Sequence, residues 1–235
     1  MEANSTISGG DLEPAGDAAV LEEMTRAGVL YGRKKTKTHP KMKPFILTTR
    51  NGVEIFDLSK TLELTERAKD FLKSVRDQKG KILLVGVQPG IEKLIKSWAD
   101  KLDCPFVTGR WLGGTLTNFS VMSRQLGYFL KLKADRTAGK LEKYTKKERL
   151  NFDREIARME KLFSGLEKLD KLPQALFIVD TALKNHQTAV REANRLRIPI
   201  AAVLNSDNNP DQVQYPIPGN CARASVEWIM NRLFT

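Results

Sequence analysis

Apolar residues recur along this chain in two rhythms: unbroken runs, and steps of three and four. The runs "KILLVGV" (81–87), "ALFIVD" (175–180) and "IPIAAVLN" (198–205) have no polar alternation, as in strands buried on both faces of a parallel sheet. Shorter strands are predicted at "PFVTG" (105–109) and "VQYPI" (213–217), and helices at 91–102, 183–196 and 221–233. Such strand–helix alternation predicts a doubly wound, three-layer α/β domain. Upstream, 18–28 reads as a short helix stopped by Gly28, and "FILTTRNGVEIFD" (45–57) as a β-hairpin turning at Asn51-Gly52. Leu62, Leu64, Ala68, Phe71, Leu72 and Val75 carry helical spacing through 61–77.

The second rhythm interrupts the first. Phe119, Met122, Leu126 and Phe129 recur at alternating steps, as do Phe152, Ile156, Met159, Phe163 and Leu166. Two heptad seams joined by the polar stretch 134–147 predict an antiparallel coiled-coil hairpin. It would occupy 117–169, inserted into an α/β domain built from 18–116 and 170–235. Residues 1–17 read as a disordered acidic tail.

Composition is ordinary for a globular chain, at 41% hydrophobic and 29% charged residues. No apolar run is long enough to span a bilayer. The first twenty residues lack the basic start and apolar middle of a secretory signal. Cys104 and Cys221 are far apart with no C-x-x-C partner, which points to a reducing, cytoplasmic setting. Charge changes the picture more. The formal net charge is +11, while residues 1–30 hold six acids and one base, leaving an excess of +16 on the rest. That excess points to a polyanionic partner.

The catalytic inventory is thin. "GVQPG" (86–90) follows a strand but lacks the spacing of G-x-G-x-x-G, so a strand-to-helix turn is favoured over a nucleotide site. "SDNNPDQ" (206–212) offers only Asp207 and Asp211 as carboxylates, which favours a structural turn over a metal loop. His39 and His186 have no partner at ligand spacing. Neither a metal nor a cofactor is expected.

The stretch 32–44 is different. Arg33, Lys34, Lys35, Lys37, Lys41 and Lys43 place six cations in eleven residues without an acid. Two prolines and Gly32 predict an extended loop, suited to a row of phosphates. A second basic region, 131–149, fits either a solvated face or an RNA contact.

Four stretches give these features a common frame: "HPKMKPFILTTRNGVEIFDLSKT" (39–61), "RWLGGTLTNF" (110–119), "AVREANRLRIPIAAV" (189–203) and "DQVQYPIPGN" (211–220). In this order, from about Ala27 to Phe234, the chain resembles the bacterial small-subunit ribosomal protein S-two family. The resemblance implies a flavodoxin-like domain with an inserted coiled-coil hairpin, and no enzymatic activity. It implies binding to 16S ribosomal RNA near the junction of head and body, beside other small-subunit proteins. It further implies docking of the large ribosomal protein S-one. On this reading Arg110 and Asn118 join the 33–43 cations as RNA contacts, and Trp111 packs at the domain junction or stacks on RNA. Gly113-Gly114 would be the hinge into the hairpin, with Thr115 or Thr117 as helix cap.

The chain departs from the family pattern at several positions. Leu30 and Arg33 stand where two histidines are usual, and Thr38-His39 where Trp-Asn is common. Asn209 and Gln214 replace frequent aspartates, and Cys221-Ala222-Arg223 replaces an acidic stretch. A base usual near Val87–Pro89 is missing. Two other classes remain as rivals: a phosphate-ligand enzyme using the sheet mouth near Gly86 and Asp207, and a coiled-coil adaptor binding only protein.

Overall fold

The structure is a computed structural model that describes residues 14–235. The first thirteen residues of the expected acidic tail lie outside the described residues. Helix α1 spans Pro14–Arg26, so the chain is helical four residues before position 18. Gly28, with φ +72°, then turns the chain.

Among the described residues, eight strands form two sheets. The small antiparallel sheet has the order β1–β3–β2, from Tyr31–Lys34, Val53–Phe56 and Ile46–Arg50. Asn51 and Gly52 have φ of 52° and 75°, the left-handed pair that a two-residue hairpin needs to match strand twist. The stretch 32–44 is not the extended loop expected. Its first residues pair with the free edge of β3, Tyr31 opposite Ile55 and Lys34 opposite Val53, so the hairpin becomes a three-stranded sheet. The rest forms 3-10 turns at Lys35–Lys37 and Pro40–Phe45.

Helix α2 (Leu58–Asp77) follows, its first turn capped by the Asp57 carboxylate. The larger sheet is parallel, with strands β4 (Ile82–Val85), β5 (Phe106–Val107), β6 (Ala175–Val179), β7 (Ile200–Leu204) and β8 (Tyr215–Pro218). Their spatial order is β5–β4–β6–β7–β8, that of a flavodoxin-like domain. Pro216 and Pro218, which cannot donate to a ladder, sit in β8 at the sheet edge.

Successive residues of each central strand point to opposite layers. Leu84, Phe177, Val203 and Ile217 pack under α2, α3 (Glu92–Leu102) and α7 (Arg223–Phe234). Leu83, Val85, Leu176 and Ile178 pack on the other side, with α6 (Lys184–Arg195), Trp111 and Leu116. Both faces are sealed, which explains the unbroken apolar runs.

Between β5 and β6 come α4 (Phe119–Thr137) and α5 (Lys146–Phe163), which run antiparallel. Phe129 meets Phe163 near the sheet, while Arg136 pairs with Asp153 and Tyr144 packs on Phe152 farther along. Leu126, Phe129, Leu132, Ile156, Met159 and Phe163 are buried between and beneath them. Leu132 was not in the expected seam. Thr145 and Glu148 form a reciprocal capping box that starts α5.

Candidate nucleic-acid interface

The segment 110–119 links the sheet edge to α4, and its geometry is organised by a residue on α6. Glu192 is 8% exposed and receives five hydrogen bonds from the segment. Trp111 Nε1–H and the Gly114 N–H donate to Oε1 at 3.1 and 2.8 Å. The N–H groups of Leu116 and Thr117 and the Thr117 hydroxyl donate to Oε2 at 3.0, 3.2 and 3.3 Å. Burial pushes the Glu192 carboxyl up, but these donors together outweigh it and hold it below the usual range. Gly114 has φ +90°, which favours glycine and turns its N–H onto the carboxylate.

The hinge expected at Gly113-Gly114 is therefore a clasp around a buried anion. Trp111, 3% exposed with its N–H engaged, packs at the junction; a stacking platform needs an open ring face. Neither threonine caps α4. Thr115 donates to the Leu112 carbonyl and Thr117 to Glu192, and the helix starts after Asn118, whose side chain makes no capping bond. Arg110 and Asn118 are exposed at the two ends of the clasp.

Glu192 had no role in the sequence reading although it lies in a quoted motif. Its signal was available. It sits beside Ala189 and Ala193 on the apolar side of its helix, where a carboxylate is costly to bury without donors.

The mouth of the parallel sheet, between the C-terminal ends of β4 and β6, is held by a second buried polar group. His186 is fully buried, with Nδ1 2.7 Å from the Asp180 carbonyl and Nε2 accepting from the Val87 N–H at 2.9 Å. That pattern requires the neutral ring with its proton on Nδ1, and burial lowers the His186 pKa. The Val87 amide, where a phosphate ligand of the rival enzyme would need a donor, is thus engaged by protein.

The 33–43 cations divide into two groups. Arg33 reaches Asp180 at 3.5 Å and Asp207 at 3.7 Å, and its N–H donates to Ser206 Oγ at 2.7 Å. Asp180 is 2% exposed and also accepts from Asn208 Nδ2 at 3.1 Å. Lys41 pairs with Asp211. Lys34, Lys35, Lys37 and Lys43 are exposed and meet no carboxylate at ion-pairing distance among the described residues. The 206–212 turn is built as a structural element: Asn208 Oδ1 accepts from Thr181 Oγ1 at 2.7 Å, and Asn209 caps the Pro210–Gln212 turn.

In the 131–149 region, Lys133, Arg136 and Lys140 pair with Glu167, Asp153 and Asp135 at 2.9, 3.0 and 3.2 Å. Lys131, Lys143, Lys146, Lys147 and Arg149 are exposed without such a partner among the described residues.

The family described as Ribosomal protein S2 matches residues 24–235. The chain belongs to the ribosomal protein S2 family. A relative from Salinispora arenicola, named small ribosomal subunit protein uS2, is 40% identical over 201 residues, covering 85% of this chain and 71% of its own length. Relatives of the same name from Dictyoglomus thermophilum and Chlorobaculum tepidum are 38% and 40% identical, and 81% and 80% of their lengths are covered. The family is one of ribosomal constituents, not of enzymes. Among the described residues, no helix is long and apolar enough to cross a membrane. Within the S2 family frame, Arg33 holds the small sheet to the mouth of the large one through two carboxylates.

Proposed function

We propose that this chain is a structural constituent of the small ribosomal subunit that binds 16S ribosomal RNA through its basic surface. Membership of the S2 family carries the ribosomal assignment. Four lysines without a carboxylate partner among the described residues, on a short, folded segment, support the RNA contact. Lys34, Lys35, Lys37 and Lys43 would meet phosphates, and Arg110 and Asn118 would add further RNA contacts. Arg33 and Lys41 contribute less, because their charges are already answered by carboxylates. Such contacts read RNA by shape and backbone.

On the same reading, α4 and α5 form a coiled-coil hairpin over 117–169, inserted in the α/β domain and extending along the subunit surface. The clasp on Glu192 fixes its exit direction. The ribosome-bound protein resides in the cytoplasm, and docking of a large S-one-type protein follows from the family frame. Binding of the purified chain to 16S RNA across a salt series tests the RNA reading. Replacing Lys34, Lys35, Lys37 and Lys43 with Gln should flatten the dependence of log K on log salt by about 0.7–0.9 per lost contact. An unchanged affinity and slope would remove this segment from the interface.

A further inference from the structure

Acids and bases are unevenly shared along this chain, and residues 1–13 are the extreme. They hold Glu2, Asp11 and Glu13 with no Lys or Arg, and the first base of the chain is Arg26. Beyond Arg26 no stretch of thirteen residues holds three acids without a base. The segment 34–43 is the complement. Lys34, Lys35, Lys37 and Lys43 are exposed, and none meets a carboxylate at ion-pairing distance among the described residues.

Helix α1 roots the acidic segment near these lysines. Leu21 of α1 shares a groove with Ser59 and Leu62 at the start of α2, and Glu23 accepts from the Trp228 indole N–H at 3.4 Å. One residue on from Ser59, the Lys60 ammonium donates to the Pro44 carbonyl at 2.8 Å, directly beside Lys43. The other lysines follow along the small sheet, where Lys34 lies opposite Val53 and Phe56 ends the same strand beside α2. The path from Pro14 along α1, across to α2 and down β3 to Lys34 is roughly 35 Å. Thirteen extended residues reach roughly 45 Å. Helices α4 and α5 pack in the other layer. The cations of α2 stand among acids, with Lys60 paired to Asp57 at 3.6 Å and Arg67 to Glu63 at 2.6 Å.

We propose that residues 1–13 dock on the 34–43 segment of their own chain, Glu2, Asp11 and Glu13 against Lys34, Lys35, Lys37 and Lys43, and shield it until RNA displaces them. Tethering holds the acids at an effective concentration in the millimolar range, so weak ion pairs suffice. A short or non-specific polyanion must then compete for the same lysines, whereas an RNA whose shape also fits the rest of the protein displaces the segment. The docking stands on charge and reach; its use as a guard rests on the RNA-binding reading above.

The first test places a nitroxide label on the full chain at Ser5→Cys; Cys104 and Cys221 are buried, so the label goes to position 5. The amide resonances of 34–43 should broaden in low salt and recover in about 0.5 M salt, where the screening length is a few ångströms. No broadening, or broadening confined to other parts of the surface, would overturn the docking. The second test combines Glu2→Gln, Asp11→Asn and Glu13→Gln and measures binding to purified 16S RNA, with circular dichroism to check that the helices are kept. Affinity should rise about three- to tenfold near 0.1 M salt. It should not rise in a background carrying Lys34→Gln, Lys35→Gln, Lys37→Gln and Lys43→Gln. An unchanged affinity would refute the guard, and an equal rise in the lysine-substituted background would mean bulk charge alone and refute the site. If the wild type broadens at 34–43 but does not bind 16S RNA, the RNA-binding reading fails and the docking stands.

Discussion

Residues 33–43 carry six cations in eleven positions with no acid, whereas α5 carries six cations interleaved with acids. Counted along the chain, the first stretch is the stronger polyanion site. In the fold the order changes. Arg33 and Lys41 sit against the turn after β7 and meet Asp180, Asp207 and Asp211, so two of the six charges are answered by the protein's own carboxylates. On α5 the acids face α4 or cap the helix, and all six cations stay without a carboxylate partner among the described residues. Linear density counts charges; the fold decides which of them remain for a partner.

That contrast depends on both surfaces being held in fixed relation, so its largest expected break is at Glu192. Glu192→Ala would leave the Trp111 N–H and three backbone N–H groups without their acceptor. A loss of about 3 kcal/mol is expected, lowering Tm by about 6–12 °C for a chain of this size. Calorimetry would show it, and Glu192→Gln, which keeps one acceptor oxygen, should lose less. A Tm within about 1 °C of wild type would mean the clasp does not hold the hairpin.

Arg33→Gln sharpens the contrast from the other side. It should cost about 1–2 kcal/mol of stability, because it strips the cation from the buried Asp180 carboxylate. It should change the RNA salt slope less than Lys34→Gln does, which binding assays on the single variants would compare. An equal or larger change in slope would place Arg33 on the RNA.

Acid should act on the interior and leave the surface cations, which are already protonated, unchanged. The His186 pKa is lowered in the fold, so an unfolded chain binds a proton that the native ring refuses. Its contribution is complete above the unfolded value, about 6.5, and is lost as pH falls below that toward the folded value. Glu192 is also lowered, and its contribution goes only at more acidic pH, as the solution falls through its folded value. Denaturant melts between pH 7 and 5 should therefore show a decline in stability that His186→Asn removes, and an equal decline in the variant would contradict this origin.

The sheet was legible in the sequence because strands buried on both faces must be apolar at every position, as Ile82–Val85 and Ala175–Val179 are. The turn at Asn51-Gly52 was legible because only a few residues tolerate its backbone. The third strand, Tyr31–Lys34, was not. It is mostly exposed and pairs at the edge of β3, so it has no apolar alternation to betray it. The six cations of 33–43 could be named, but the carboxylates that meet Arg33 come from positions 147 and 174 residues away. Glu192 was hidden for the same reason, since its donors lie 75–81 residues upstream. Local pattern reports periodicity and turn chemistry, while pairing between distant polar groups appears only once the chain is folded.

The most direct test of the account is sedimentation of a source-cell lysate through a sucrose gradient in moderate magnesium, with each fraction probed for this chain. A ribosomal constituent with two basic surfaces should travel with the small subunit and stay there after a wash in about 0.5 M salt, where the screening length is only a few ångströms. Recovery of the chain at the top of the gradient as free protein would contradict the account.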